Sequence, residues 1–302
     1  MYLLVLVLFY AIAILPFPLL YALSDGIYFI LYYLVGYRKK VVLENLQLAF
    51  PNKELNELRT IRKKFFKHFT DIFIESIKAF SIHKKTLIKR YKYTNPELID
   101  ELYDKGRSIA FMGSHQANWE WSISIPLVVK ITCFGAYTRI GNSYFDKTVK
   151  DSRTKFGFIG YKTTETIKSI SRNFDDGIQG LYLLLSDQSP QVHKTFYWST
   201  FFGVKVPIHT GAEMLAKKFD LVVINYVTRK VKRGYYETEF QLITETPKEF
   251  DNYQITDKYL RLTERNVIQQ PELYLWSHKR FKHRNSFDEW QKMRASKQKT
   301  KK

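Results

Sequence analysis

The chain opens with an apolar run that no charged residue interrupts. Residues 3–23 read LLVLVLFYAIAILPFPLLYAL, and at about 1.5 Å per helical residue such a segment spans roughly 30 Å, the thickness of a bilayer's hydrocarbon core. It has neither a basic leader nor a small-residue cleavage site, so we expect it to remain attached as a membrane anchor helix. A buried core helix is the alternative. Pro16 and Pro18 break or kink this helix, so a full crossing and a return at the prolines both stay open. The next apolar stretch, Ile27–Val35, is too short to span and is rich in Tyr, as interfacial segments are.

A helical pattern follows Pro51. Apolar residues recur there at steps of three and four with Lys and Arg between them, which predicts one amphipathic helix. Its basic face is either solvated or lies on a membrane. The apolar positions are Leu55, Leu58, Ile61, Phe65, Phe69 and Ile72.

From about residue 107 short β-rich runs alternate with helical runs, which indicates an α/β fold with a mixed, mostly parallel central sheet flanked by helices. No element is assigned to Gln188–Pro207 or to the region after Asp251. The predicted strands are Ser108–Met112, Ile131–Thr138, Leu181–Ser186, Leu221–Val227 and Tyr236–Thr244, and the predicted helices cover 117–128, 143–155, 164–175 and 208–218.

These elements predict three parts of the chain. Residues 1–36 form the anchor and an interfacial segment, residues 37–290 form one α/β domain, and residues 291–302 form a basic tail. The end of that tail, SKQKTKK from Ser296, is of low complexity and is expected to be disordered.

Charge narrows the choice of partner. Lys and Arg number 48 against 29 Asp and Glu, a net charge of +19, and aromatic residues reach 16%. Such a chain binds either nucleic acid or an anionic membrane surface. The sequence has no zinc-finger spacing, no RNP-type motif and no basic helix leading into heptads, so with an anchor present we expect a membrane and no nucleic acid.

The side of the membrane follows from where the basic residues begin. Arg38, Lys39 and Lys40 follow the apolar N-terminus, and by the positive-inside tendency everything after Arg38 faces the cytoplasm. Cys133 is the one cysteine, which excludes an intrachain disulfide and a cysteine-built metal site and fits a reducing compartment.

Candidate chemistry lies at the first clear strand, in SIAFMGSHQANWEWS. The strand ends at Met112, a turn follows, and His115 and Glu120 come next. Residues five apart do not share a helix face, so His115 must lie in the turn before the helix if Glu120 is to reach it. A carboxylate on one imidazole nitrogen leaves the other free as a general base toward a hydroxyl, and the N-terminus of the helix offers N–H groups to an oxyanion. A structural histidine with an unrelated glutamate gives the same spacing.

The segment GSHQANWEW closely resembles the H-x4-D/E motif of the lipid A biosynthesis acyltransferases, the late acyltransferases of lipopolysaccharide assembly. The resemblance covers about residues 1–285 and implies a glycerolipid acyltransferase-like fold. Other stretches match in the family's order: Asn45-Leu46 with Phe50-Pro51, Arg153 before Phe156-Gly157, Asp187-Gln188, Thr210-Gly211, and the run from Gln270 to Lys282 that is close to PEQYLWxHRRWK.

The resemblance implies acyl transfer, with His115 taking the proton of a lipid hydroxyl and Glu120 orienting the imidazole. Arg153 and Asp187 match the family's other functional positions and would contact substrate or the oxyanion, and Arg139 would contact an acyl carrier or a phosphate. No metal or redox cofactor is expected, because the acyl thioester supplies the activated carbon; acyl carrier protein, or less readily coenzyme A, is the co-substrate.

The function so predicted is that of a bacterial inner-membrane acyltransferase whose catalytic domain faces the cytoplasm and acylates an anionic glycolipid. Acylation of another membrane lipid, such as a lysophospholipid, an aminolipid or a mannolipid, stays open, and so does hydrolysis by the same His115 and Glu120. A membrane-tethered basic binding protein without catalysis is the alternative outside enzymes. Glu272-Leu273-Tyr274 and Lys279-Arg280-Phe281 depart from the family's signature, which weakens any inference about the acceptor.

Overall fold

A computed structural model describes residues 2–137 and 154–299. Its described strands are, in chain order, β1 (Tyr91–Tyr93), β2 (Ile109–Gly113), β3 (Thr132–Tyr137), β4 (Ile159–Lys162), β5 (Gly180–Leu185), β6 (Tyr197–Phe201), β7 (Val204–Ile208), β8 (Val222–Lys232) and β9 (Tyr235–Thr244).

Seven of these strands form one sheet in the order β1-β9-β8-β2-β5-β3-β4. Neighbouring strands are parallel except for the β8–β9 hairpin, which is antiparallel. Strands β6 and β7 pair separately as an antiparallel hairpin. The mixed, mostly parallel α/β architecture predicted from the sequence is therefore confirmed.

Helices surround this sheet. The described α-helices are α1 (Tyr2–Ile14), α2 (Phe17–Phe29), α3 (Lys39–Ala49), α4 (Leu55–Lys78), α5 (Lys84–Arg90), α6 (Glu97–Asp104), α7 (Thr166–Asp175), α8 (Gly211–Phe219), α9 (Gln254–Gln269) and α10 (Phe287–Lys299).

Strand β2 lies at the centre of the sheet, and all five of its residues are buried. Ala110 and Met112 enter a core that includes residues of α4, α8 and α9, whereas Ile109 and Phe111 enter a core with residues of α5 and α6. Both faces of β2 are covered, which is why its sequence is a continuous apolar run rather than an alternating one.

The N-terminal segment differs from its prediction in where it breaks. Helix α1 ends at Ile14, and Pro16 occupies the N-cap position of α2. The first turn of α2 tolerates Pro18 because N–H groups there have no partner within the helix. Helix α2 then continues as a π-helical turn, Ile30–Val35. Among the described residues one helix, Phe17–Val35, has the length and apolar composition to cross a membrane. The candidate anchor is therefore shifted toward the C-terminus from the predicted residues 3–23.

Polar contacts join this apolar helix to the sheet. Arg233 lies in the turn between β8 and β9. Its Nη2 donates to Asp25 of α2 at 2.8 Å, and its Nε donates to the buried Asp71 of α4 at 3.0 Å. Helix α4 is the amphipathic helix predicted after Pro51, and it packs its apolar face, including Leu58 and Phe65, into the core.

The predicted helix 117–128 is a 3-10 helix, Trp119–Leu127. The hydroxyls of Ser122 and Ser124 donate to carbonyl groups three residues earlier, at 2.7 and 2.8 Å, and Pro126 has no N–H to donate. Local side-chain bonding of this kind competes with the α-helical pattern.

Helices at 164–175 and 208–218 are confirmed as α7 and α8, and the predicted helix 143–155 lies, up to residue 153, outside the described residues. The two unassigned regions contain the β6–β7 hairpin and helix α9, and α10 continues to Lys299 past the predicted start of disorder at Ser296.

Gly113 ends β2 against an aromatic ring, and we expect Gly113→Ala to lower stability. A Cβ at this position would overlap the ring of Tyr226, which is buried and stacked on Phe111 at 4.7 Å. Overpacking a core costs about 1–3 kcal/mol, so thermal unfolding should shift to lower temperature. Gly211→Ala is the matched control, since its Cβ meets no atom within 4 Å. Equal unfolding temperatures for Gly113→Ala and the wild type would contradict this packing.

Candidate active site

The sheet brings His115 and Asp187 together across 72 residues of sequence. Strands β2 and β5 are parallel neighbours, and Gly113 pairs with Leu185 at their carboxyl ends. His115 and Asp187 each lie two residues beyond that pair. The crevice outside the carboxyl ends of parallel strands is where α/β sheets place functional groups.

Asp187 holds His115 at two points. One carboxylate oxygen, Oδ1, lies 2.7 Å from the imidazole Nδ1, and the other accepts the backbone N–H of His115 at 3.0 Å. The Asp187 side chain is 1% exposed and that of His115 is 17% exposed. A buried carboxylate bonded in this way fixes the orientation of the ring and places a proton on Nδ1, so that Nε2 carries the lone pair.

The two groups shift each other's pKa. Burial lowers the pKa of His115, but the charge of Asp187 and its hydrogen bond raise it more, so the net pKa lies above the usual value. Burial raises the pKa of Asp187, and the interactions with His115 outweigh this and hold it below its usual range. The pair therefore favours an ionised Asp187 and makes the imidazole a stronger base.

Two side chains cover the rest of the imidazole. The Gln188 amide Nε2 lies 3.2 Å from His115 Nε2. The Trp119 ring meets the imidazole edge-on, with centroids 5.4 Å apart.

Glu120 lies in the first turn of the 3-10 helix, and His115 lies in the turn before it, as the spacing predicted. Glu120 is half-buried, and its charge also raises the pKa of His115, by less than Asp187 does. The group bonded to Nδ1 is Asp187. Asp187, which was expected to contact substrate or the oxyanion, lies at Nδ1, where Glu120 was expected. The orienting role of Glu120 stays a prediction.

The segment Gln270–Lys282, here called the C-terminal signature, is hydrogen-bonded to the turn that carries His115. Ala117 has a positive φ of 51°, and its N–H donates to the carbonyl of Leu273 at 2.9 Å. Leu275 donates to the carbonyl of His115 at 3.0 Å, and Gln116 forms a β-bridge with Tyr274. The matching segments around residues 115 and 275, far apart in sequence, form one structural unit.

The same signature supports the segment after Asp187. His278 Nε2 accepts the backbone N–H of Ser189 at 3.1 Å, and burial, with the charges of Arg280 and Lys282, lowers the pKa of His278 to about 4. His278 is therefore neutral at physiological pH. Its carbonyl and that of Trp276 both accept the side-chain N–H groups of Asn45 at 2.8 Å. The Asn45-Leu46 segment is therefore part of the same unit.

A basic pocket of about 320 Å³ lies beside this unit, between α3 and the C-terminal signature. Four cationic side chains and one acidic side chain line it, and Asn45 is part of its wall. The charged lining residues are Lys40, Glu44, Lys279, Lys282 and Arg284.

Two predicted site residues cannot be placed. Arg139 and Arg153 lie outside the described residues. Within the described ranges, no group of three or more His, Cys, Asp or Glu side chains is arranged to hold a metal ion.

Sequence reasoning missed the pairing of Asp187 with His115 and gave Gln188 no role. The signals were present: Asp187-Gln188 follows a predicted strand, and His115 follows another. Only the strand order, which places β5 next to β2, turns these two positions into one site.

Comparison with known proteins gives two findings. The model of the family described as "Bacterial lipid A biosynthesis acyltransferase" matches residues 1–283. The chain is similar to the lipid A biosynthesis lauroyltransferase of Escherichia coli (strain K12), with 23% identity over 273 residues that cover 89% of this chain and 87% of the relative.

The two acidic residues near His115 make separable contributions to its pKa. We expect Asp187→Asn to lower the His115 pKa because it removes the larger of the two charge effects and the charged hydrogen bond at Nδ1, and Glu120→Gln to lower it less. The pH dependence of His115 modification by diethylpyrocarbonate, which needs a neutral imidazole, measures this by peptide mass spectrometry. The acid limb should move to lower pH in both variants. A larger shift for Glu120→Gln would assign the orienting role to Glu120.

Proposed function

The chain belongs to the bacterial lipid A biosynthesis acyltransferase family, and from this premise we propose that it transfers a fatty acyl chain from an acyl carrier protein thioester to a hydroxyl of a lipid A precursor. The observation that carries the proposal is the buried Asp187 carboxylate on Nδ1 of His115, at the carboxyl ends of β2 and β5. Such a pair is suited to removing a proton from a hydroxyl.

In the proposed reaction, His115 Nε2 takes the proton of the acceptor hydroxyl as its oxygen attacks the thioester carbonyl. The tetrahedral intermediate carries a negative charge on the former carbonyl oxygen. Its collapse breaks the carbon–sulfur bond, leaves an ester on the lipid, and the departing thiolate takes the proton from His115. Asp187 orients the imidazole and stabilises the imidazolium that forms between the two steps.

The remaining predicted residues keep supporting roles in this proposal. Glu120 adds negative charge near the imidazolium. Arg153 and Arg139 would contact the oxyanion or a phosphate, since guanidinium groups bind both. No step needs a metal or a redox cofactor, because the thioester already supplies an activated acyl group.

The charge of the basic pocket supports the proposal that a substrate is anionic. Its four cations against one acid leave a net charge of +3 (4 − 1) in a space of about 320 Å³, which is suited to a phosphate group. Asn45 in its wall bonds the His278 carbonyl, and His278 bonds Ser189 beside Gln188. These hydrogen bonds connect the wall of the pocket to the segment that carries Asp187 and Gln188.

The N-terminal helices support association with a membrane. Leu19, Phe29 and Leu34 on the Phe17–Val35 helix are between 54% and 70% exposed. Of the 18 most apolar consecutive residues of this helix, 17% are buried. Asp25 lies in the middle of that helix and pairs with Arg233, so we place the helix against the domain with its outward apolar face in the lipid interface, rather than across the bilayer centre.

The proposed location is the cytoplasmic face of the bacterial inner membrane. Arg38, Lys39 and Lys40 directly follow the apolar helix, and the chain carries a net charge of +19. Both features favour an anionic cytoplasmic surface.

Mass spectrometry of lipid products tests the reaction directly. Detergent-purified protein is given acyl carrier protein thioesters with, in parallel, a tetra-acylated Kdo-bearing lipid A precursor and a lysophospholipid. We expect one acyl mass to be added to the glycolipid, and we expect His115→Ala to lose the activity by a factor of about 10⁴ or more, because it removes the base. His83→Ala, at an exposed histidine directly before α5, is the control and should retain activity.

Other outcomes replace parts of the proposal. Acylation of the lysophospholipid alone keeps the chemistry and changes the acceptor. Release of free fatty acid without a lipid product indicates a hydrolase. An intact thioester with both lipids contradicts acyl transfer and favours a binding protein.

The basic pocket has its own test. We expect Lys279→Ala combined with Lys282→Ala to raise the KM for one of the two substrates by about tenfold, as the loss of about 1.4 kcal/mol of binding would do, with kcat little changed and the effect weaker at high salt. Lys84→Ala with Lys85→Ala removes the same charge from the exposed surface of α5. A higher KM for the glycolipid assigns the pocket to the acceptor, and a higher KM for the acyl carrier protein assigns it to the donor. Unchanged KM values for both would contradict a substrate role.

A further inference from the structure

Two consecutive residues hold both nitrogens of the His115 ring. Asp187 bonds Nδ1 at 2.7 Å, and the Gln188 amide lies 3.2 Å from Nε2. With the Nδ1 proton directed at Asp187, the Nε2 lone pair is the acceptor of the Gln188 N–H. The nitrogen that would take a proton from the substrate is therefore already hydrogen-bonded.

This contact must break before His115 acts as a base. An imidazole nitrogen has one lone pair, so a substrate hydroxyl and the Gln188 amide cannot both donate to it along the same direction. The amide nitrogen occupies the position that the attacking oxygen requires. Gln188 thus donates at the position that the acceptor hydroxyl would take.

The main chain on either side of Gln188 is fixed, so the movement belongs to the side chain. Asp187 is buried and bonded to His115. Its carbonyl lies 3.5 Å from the Tyr274 hydroxyl. The Ser189 N–H is bonded to His278. The Gln188 side chain is half-buried and has three rotatable bonds, so a rotamer change displaces its amide by a few ångströms without a loop rearrangement.

We propose that Gln188 is a catalytic residue that caps His115 Nε2 in the resting enzyme, yields this position to the acceptor hydroxyl, and then donates its amide N–H to the oxyanion of the tetrahedral intermediate. The inference rests on the proposed role of His115 as general base. No covalent bond to Gln188 forms or breaks. The proton passes from the hydroxyl to Nε2, and the amide contributes a hydrogen bond alone.

The two halves of the proposal have separate measurements. For the resting cap, the rate of diethylpyrocarbonate modification at His115 is measured without substrate, at a pH where the imidazole is neutral. For the oxyanion contact, kcat for acyl transfer is measured at saturating substrates. Gln188→Met keeps the length and bulk of the side chain and removes the donor, so that folding is preserved. Gln191→Ala removes an exposed glutamine three residues away and is the matched control.

We expect Gln188→Met to increase the modification rate of His115 several-fold, because Nε2 is freed, and to lower kcat by about 10²-fold, the effect of removing one donor from an oxyanion. Gln188→Asn should behave like Gln188→Met, since its shorter side chain cannot reach Nε2. Gln191→Ala should change neither value.

An unchanged modification rate in Gln188→Met would overturn the cap, and an unchanged kcat would overturn the oxyanion role. A failure of the proposed function is distinguishable from both, because His115→Ala would then leave acyl transfer intact while the modification rate of His115 in Gln188→Met still reports the contact.

Discussion

Two carboxylates buried on one face of α4 hold the site to the rest of the molecule. Glu75 accepts the side-chain amide of Asn118 at 2.6 Å and the hydroxyls of Tyr21 and Tyr236, each at 2.8 Å. One turn earlier, Asp71 accepts from Ser24 and Arg233. Burial and the neighbouring charge of Asp71 raise the pKa of Glu75 to about 7, against the hydrogen bonds from Tyr21 and Tyr236, which lower it. A buried acid with three donors fixes all three in place, because any of them that moved away would leave part of the carboxylate unsatisfied.

That constraint reaches from the N-terminal helix to the turn that carries His115. Asn118, held by Glu75, caps the 3-10 helix through the N–H of Trp121 at 3.0 Å, and this helix begins at the turn that carries His115. Tyr21 on the other side belongs to α2, within the predicted anchor. The proposed boundary at residue 36 stays a prediction, but hydrogen bonds and an apolar cluster with Leu20 and Ile74 cross it. The apolar helix is thus packed as part of the enzyme, and its position bears on the geometry of the turn.

Local sequence patterns predicted most strands and helices, but not which strands lie next to each other in the sheet. The run before His115 and the run before Asp187 are apolar enough to be recognised as buried strands, and a glycine turn after a strand placed His115 correctly. Their pairing depends on β5 entering the sheet between β2 and β3, a choice made by packing over the whole sheet. Spacing within one motif therefore drew attention to Glu120, five residues away, over Asp187, 72 residues away. Helix α9 was missed although its buried Ile255, Tyr259 and Val267 recur at helical spacing. The two strands of the β6–β7 hairpin have five residues each, which is too short for a clear period.

The dipeptide Asp187-Gln188 sets opposing conditions on one imidazole. A general base gains strength as its pKa rises, but a higher pKa also leaves less of it neutral at a given pH. Asp187 raises the pKa of His115 through its charge and its hydrogen bond, whereas a hydrogen bond donated to Nε2 by Gln188 favours the neutral ring. When a hydroxyl displaces Gln188, it donates to the same lone pair, so the hydrogen bond at Nε2 is exchanged rather than lost, and its proton is one that the imidazole can take. Binding of the acceptor then replaces a donor that cannot give up its proton with one that can, while Asp187 continues to raise the pKa of His115.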